Sequence, residues 1–183
     1  AVRPYRLEVA AGGPAWATEP GTPVSGVSSL RGPATSLLDG NRFYGTQSPI
    51  GDPWYFDLVA RSGASGAKQW TVDVPAGVVT SGAAQLRMEL WGGSAYVDVS
   101  PDHRYRALLN GSPIGEGSFD GISGHVGTFV VPAGLLQPGS NTVRLELLAT
   151  GRSIDRIHVE SIELSYHAEH SARDGVALVD MGQ

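Results

Sequence analysis

Alternation of apolar and polar residues is the strongest signal in the chain. Residues 68–74 place Trp70, Val72 and Val74 on one face and Thr71 and Asp73 on the other, the period of a half-buried strand. Pro75 ends that run, because proline cannot donate to a ladder. After a turn at Gly82, Leu86, Met88 and Leu90 face one way and Arg87 and Glu89 the other. Tyr105, Ala107 and Leu109 share a face and run into Asn110-Gly111, a pair suited to a two-residue type I′ hairpin turn. Ile114 and Phe119 lie on the return, with Gly115 and Gly117 marking a bulge. Further strands are predicted at residues 5–10, 95–99, 126–131, 143–148 and 157–166, the last with Ile162, Leu164 and Tyr166 alternating against Ser161, Glu163 and Ser165. Residues 11–40 carry Gly, Pro, Ser and Thr with little period and read as an irregular connection with a short strand or turn. No window supports an amphipathic helix of ten or more residues. About eight to ten short strands at sandwich-like spacing predict an all-β, two-sheet antiparallel jelly roll. It spans residues 1–167 as a single β-sandwich. Residues 168–183 read as a tail or a linker to a following domain, with a short strand at residues 176–179.

One stretch occurs twice. Residues 75–90 read PAGVVTSGAAQLRMEL and residues 132–147 read PAGLLQPGSNTVRLEL. The Pro-Ala-Gly, the turn glycine and the Arg-x-Glu-Leu ending are shared, and each copy follows a strand-like run. Each unit therefore reads as strand, Pro-Ala-Gly turn, two aliphatics, glycine turn, strand, crossing from one sheet to the other over a tight corner. Leu86, Met88 and Leu90 with Val143, Leu145 and Leu147 become the expected centre of the core. One corner solved twice and an ancestral duplication both explain the repeat, and neither changes the function.

Composition narrows the classes. With 25 Gly, 12 Pro and 17% charged residues in 183, the chain suits an all-β fold with many turns. A net charge of −5 with scattered Lys and Arg argues against a nucleic-acid partner, which needs a basic stripe. No apolar run reaches membrane-spanning length. The absence of cysteine excludes disulfides, cysteine zinc sites and thiol nucleophiles within the chain. The start AVRPYRLEV lacks the apolar core of a signal peptide, so in an exported protein that signal is removed or lies upstream.

Catalytic patterns are weak. The five histidines, including the pair in His167-Ala-Glu-His170, read as surface residues. Ser100-Pro101-Asp102-His103 reads as a turn between strands, since a triad is defined by spatial geometry. Glu89 and Glu146 read as solvent-facing strand charges, with Arg87 and Arg144 pairing to acids of neighbouring strands. Asn110-Gly-Ser112 matches a glycosylation acceptor but is explained by the hairpin turn. The aromatic cluster is the best candidate for a ligand surface: Phe43, Tyr44, Trp54, Tyr55 and Phe56, with Trp91 and Tyr96. Exposed flat rings bind sugars or protein partners, and buried ones fill cores.

The segments NRFYGTQSPIGDPWYFDLV, YRALLNGSPIGEGSFDG, TFVVPAGLLQPGSNTVRLEL and VESIELSYH together resemble a galactose-binding-like, carbohydrate-binding-module-like sandwich domain. Such domains accompany the catalytic domain in exported bacterial proteins related to gingipain-type C25 cysteine peptidases. The resemblance covers residues 40–167. It implies a secreted or cell-surface, non-catalytic accessory module whose partners are neighbouring domains of the same polypeptide, and no catalytic residue carries over because the family nucleophile is a cysteine. A structural calcium, common in such sandwiches, is the one cofactor left open, with Asp52, Asp57, Asp98 and Glu163 as its candidate ligands. The alternative to an accessory module is a carbohydrate-binding module whose sites would be Phe43, Tyr44, Trp54, Tyr55, Trp91 and Tyr96. A third reading, an enzyme acting on polysaccharide, needs converging polar groups in a pocket.

Overall fold

The computed structural model describes residues 30–46, 52–63 and 66–170. Eleven strands lie in this part: β1 (Leu30–Leu38), β2 (Phe43–Tyr44), β3 (Trp54–Tyr55), β4 (Asp57–Ser62), β5 (Ala67–Val74), β6 (Ala84–Gly92), β7 (His103–Leu109), β8 (Ser112–Phe119), β9 (Gly124–Val131), β10 (Gly139–Leu147) and β11 (Ile154–His170). All pairings are antiparallel. One sheet has the order β1-β11-β6-β9, with β4 pairing the early part of β11, and the facing sheet has the order β5-β10-β7-β8. β2 and β3 form a separate ribbon. This is the jelly-roll sandwich that the strand spacing predicts.

The duplicated unit is the corner expected of it. β5 belongs to one sheet and β6 to the other, and β9 and β10 repeat the crossing in the opposite sense. The same turn opens both corners: the Val78 amide donates to Pro75 O at 3.1 Å, and the Leu135 amide to Pro132 O at 3.1 Å. β6 and β10 thereby become interior strands of their sheets. Leu86, Met88, Leu90, Val143, Leu145 and Leu147 are all buried, together with Tyr105, Ile157, Ile162 and Leu164. Bulky rings in this core need glycines opposite them. A Cβ on Gly117 would sit 2.4 Å from the Tyr105 ring, and one on Gly127 would sit 2.1 Å from its hydroxyl oxygen.

The hairpin at Asn110-Gly111 has the predicted geometry, with φ of 49° and 80° as a type I′ turn requires. A register shift opposite Ala107 and Leu108 places the bulge at Ile114, beside Gly115. Three expectations change. Within residues 11–40, read as an irregular connection with a short strand or turn, residues 30–38 form a nine-residue edge strand, and an edge tolerates its Pro33. Residues 95–99 are not a strand: the Tyr96 amide is taken by the Asp102 carboxylate at 2.9 Å, and the segment turns outward with Val97 fully exposed. Finally, β11 continues past residue 166 to His170, paired with the start of β1. The strands expected at residues 5–10 and 176–179 lie outside the described residues, as does the tail beyond residue 170. Arg87 and Arg144 pair first with Glu89 and Glu146 two positions along their own strands, and Arg106 of β7 also approaches Glu146 at 3.9 Å.

Deleting core side chains should leave voids that close poorly. Met88→Ala and Leu145→Ala are expected to cost about 2–5 kcal/mol each in urea unfolding. Val130→Ser, on the outer face of β9 at 73% exposure, should change stability by less than about 0.5 kcal/mol.

Candidate functional site

Strand parity sorts the aromatic cluster. In the ribbon, Phe43 opposes Tyr55 and Tyr44 opposes Trp54, so the two pairs point to opposite sides. Tyr55 is buried and Phe43 partly buried, whereas Tyr44 and Trp54 are 52% and 41% exposed. The exposed rings meet edge to face, with centroids 5.2 Å apart and planes at 75°. Phe56, next in the chain, joins the main core against Trp70 and carries Arg42 over its face at 4.9 Å. Trp91 lies one strand away on β6, half-buried over Gly124. Tyr96 sits in the loop 93–102 beneath the Arg152 guanidinium, 5.3 Å from its ring centre. The structure therefore brings Phe43, Tyr44, Trp54 and Tyr55 together in the ribbon, sets Trp91 on β6 opposite His158, and places Tyr96 in the loop against Arg152.

The buried side of the ribbon rests on His158 of β11. The imidazole stacks on Tyr55 at 4.6 Å and 23° and meets Phe43 at 5.7 Å. Close approach is possible because two neighbours are glycines. A Cβ on Gly45 would lie 2.7 Å from the Tyr55 ring, and one on Gly93 would lie 2.8 Å from His158 Cε1. A pocket of about 230 Å³ opens here, lined by Phe43, Tyr44, Thr46, Leu58, Arg156 and His158 with the two glycines. Burial, and then the charge of Arg156, push the His158 pKa below its ordinary value, so it is neutral at pH 7. Its ring nitrogens make no hydrogen bond among the described residues. Neither Arg156 nor His158 is marked by any sequence motif.

On the inner side of the same strand lies a buried ionic knot. His103, at 0% exposure, donates from Nδ1 to Asp155 at 2.7 Å and shares its Nε2–H between Ser94 O at 3.0 Å and Gly121 O at 3.2 Å. All three partners are acceptors, and only the imidazolium can donate from both nitrogens. Burial works against that charge, but the hydrogen bond and charge of Asp155 and the charge of Asp102 outweigh it and hold the pKa above 6.5. Asp102 accepts the amides of Tyr96 and Gly121, and Asp120 accepts the Asp102 amide and the Ser100 hydroxyl. Ser100 thus serves Asp120 and makes no hydrogen bond to His103, so this run is not a hydrolytic triad. The reading of all five histidines as surface residues is corrected here, because His103 and His158 are buried. His125 is half-buried, stacked on Phe119 with its Nε2 3.0 Å from the Tyr105 hydroxyl.

The four candidate calcium ligands do not converge. Asp52 accepts the Trp54 amide at 3.1 Å. Asp57 is shared by Lys68, the Trp70 indole and the Leu58 amide. Asp98 pairs with Arg152. Glu163 stands on the outer face of β11 opposite Arg87 and accepts the Ser165 hydroxyl at 3.1 Å. Among the described residues, no group of three or more His, Asp or Glu is placed to hold a metal ion, and no helix is long and apolar enough to cross a membrane.

No protein-family model and no curated protein matches the sequence. Among solved structures, the chain is similar to dimeric latent PorU from Porphyromonas gingivalis, with a TM-score of 0.52 and 14% identity over 79% of this chain and 14% of that one. A family 35 carbohydrate-binding module from an environmental isolate gives 0.48 at 12% identity, over 75% of this chain and 91% of the module. A CBM36 module in complex with calcium and xylotriose gives 0.42 at 14% identity, over 72% and 98%. The chain spans a small part of the PorU length, and at these identities the likeness is one of fold. That fold is a jelly-roll sandwich.

The knot gives a pH signature. The raised His103 pKa means that its contribution is fully present below about pH 6.5 and is lost as pH rises through the folded value. His158 and His125, with lowered pKa values, have the opposite sign and weaken the fold as pH falls below 6.5. His103→Gln should cost about 3–5 kcal/mol near pH 6, and urea titrations should show that cost shrinking as pH rises through the raised His103 pKa. A cost that does not change with pH would mean that the ring is neutral.

Proposed function

We propose that this chain is a non-catalytic accessory β-sandwich of a larger exported or surface-bound bacterial protein of the C25-peptidase-related kind. In this reading it packs on or positions a neighbouring domain, or recognises a protein partner, through the end of the sandwich that carries the β2–β3 ribbon. The observation that carries the reading is the Tyr44–Trp54 pair. Two large rings stand exposed, Tyr44 lining the pocket and Trp54 against it, held by a ribbon whose other face rests on His158. Tyr and Trp concentrate at interface hot spots, where they bury much area at little entropic cost. The resemblance in sequence to accessory domains and the fold likeness to a segment of PorU support the same placement.

A second reading, a carbohydrate-binding module, draws on the same rings and on a pocket of single-ring size. The 75° angle between the rings weighs against it, since a run of sugar rings stacks on a flat platform.

The test compares the 183-residue chain with the longer polypeptide that contains it. Calorimetry should show the domain melting at a higher temperature in the longer protein, with Tyr44→Ala plus Trp54→Ala removing most of that gain and leaving the isolated chain's own melting little changed. Oligosaccharide titrations of the isolated chain should give no saturable binding. Independent melting, or sugar binding that Trp54→Ala abolishes, would replace the accessory reading with the carbohydrate one.

A further inference from the structure

Arg156 is the exception among the arginines of the described residues. Arg31 pairs with Glu169, Arg87 with Glu89, Arg104 and Arg106 with Glu116, Arg144 with Glu146 and Arg152 with Asp98. Arg61 bonds the carbonyls of Gly63 and Arg152, and Arg42 lies on the Phe56 ring. The Arg156 guanidinium has no carboxylate, carbonyl or ring partner among the described residues, and it lines the pocket beside Tyr44. Its backbone is nonetheless fixed on both sides. The Arg156 amide donates to Ser94 Oγ at 3.2 Å, and its carbonyl accepts the Gly93 amide at 2.8 Å. The pocket therefore presents, from a fixed backbone, a cation with no counter-charge among the described residues. Next to it, the neutral His158 can still donate one hydrogen bond from its ring and accept another.

We propose, resting on the accessory reading above, that this pocket receives a single acidic side chain of a protein partner. The aspartate or glutamate carboxylate pairs with Arg156 and takes the ring N–H of His158, while Tyr44 and Trp54 pack on the apolar residues that flank it. Three features select this occupant. A free guanidinium matches a carboxylate in charge and fork geometry. Arg156 and Tyr44 line the pocket and Trp54 meets Tyr44 edge to face beside it, and Arg, Tyr and Trp are the residues enriched at interface hot spots. The chain's net charge of −5 disfavours an extended acidic surface, so the recognition is of one carboxylate placed locally. An acidic sugar would also bring a carboxylate, but the crossed rings offer it no flat platform.

The test uses the 183-residue chain and small probes followed by nuclear magnetic resonance. Acetyl-glutamate amide should shift the His158 imidazole and the Trp54 indole N–H with saturation in the millimolar range, and acetyl-glutamine amide should not. Arg156→Gln should weaken the response at least about tenfold. That variant keeps its fold, because the hydrogen bonds of Arg156 within the chain are made by its backbone. Equal responses to the two amides, no response to either, an unchanged response in Arg156→Gln, or tighter binding of glucuronate than of acetyl-glutamate amide would each overturn the proposal. None of these results bears on whether the domain melts together with its neighbours, so failure here is distinguishable from failure of the accessory reading.

Discussion

The His103 imidazolium is the constraint on which the pocket-bearing part of this sandwich depends. It is a full charge with no exposed surface, surrounded by oxygens from four places: the Asp155 carboxylate of β11, the Asp102 carboxylate beside it, Ser94 O and Gly121 O. A buried cation persists only when its surroundings satisfy it completely. The loops at residues 93–102 and 120–123 are therefore held in one arrangement about β7 and β11. Gly92 shows how tight that arrangement is, since a Cβ there would lie 1.9 Å from Gly121 O and 2.6 Å from His103 Nε2. The same tether reaches the pocket. Ser94 accepts His103 through its carbonyl and Arg156 through its hydroxyl, and Gly93 bonds the Arg156 carbonyl. Inner knot and outer pocket are two sides of one strand segment, so rigidity on one side is preorganisation on the other.

The repeated corner supplies the frame for this. By crossing between sheets twice over the same Pro-Ala-Gly turn, the chain places β6 and β10 inside their sheets and gives the long β11 partners on both sides. β11 pairs first with β4 and then with β1 along one edge, and with β6 along the other. A register shift between Val159 and Ser161 changes its parity. Before the shift Asp155, Ile157 and Val159 face inward, and after it Ile162, Leu164 and Tyr166 do. Arg156 and His158 consequently point outward beneath the ribbon, although His158 is only 8% exposed because the ribbon covers it.

Most of the frame was legible in the sequence because strands such as β5, β6 and β10 alternate between more and less buried positions, and because Asn110-Gly111 names its own turn. β1 was hidden by Gly32 and Pro33, which break the apolar pattern yet are tolerated on a strand paired along one edge. Residues 95–99 alternate like a strand, but a buried carboxylate captures the Tyr96 amide and bends them into a loop. The aromatic segment was found as a group, and the sorting within it was not. Two-residue strands are too short to show a period, so nothing local says that Trp54 faces out and Tyr55 in. His158 and Arg156 were missed for a related reason. Their outward placement depends on a bulge, whose trace in the sequence is the pair of polar residues Glu160-Ser161 between two apolar runs.

The central claim is that this domain meets a protein neighbour through the ribbon end of the sandwich. Hydroxyl-radical footprinting of Tyr44 and Trp54, in the 183-residue chain and in the longer protein of which we propose it is a part, measures that contact directly. Labelling of both rings should fall in the longer protein while Leu37 and Val130, exposed elsewhere on the sandwich, keep theirs. Equal labelling of Tyr44 and Trp54 in the two forms would contradict the account.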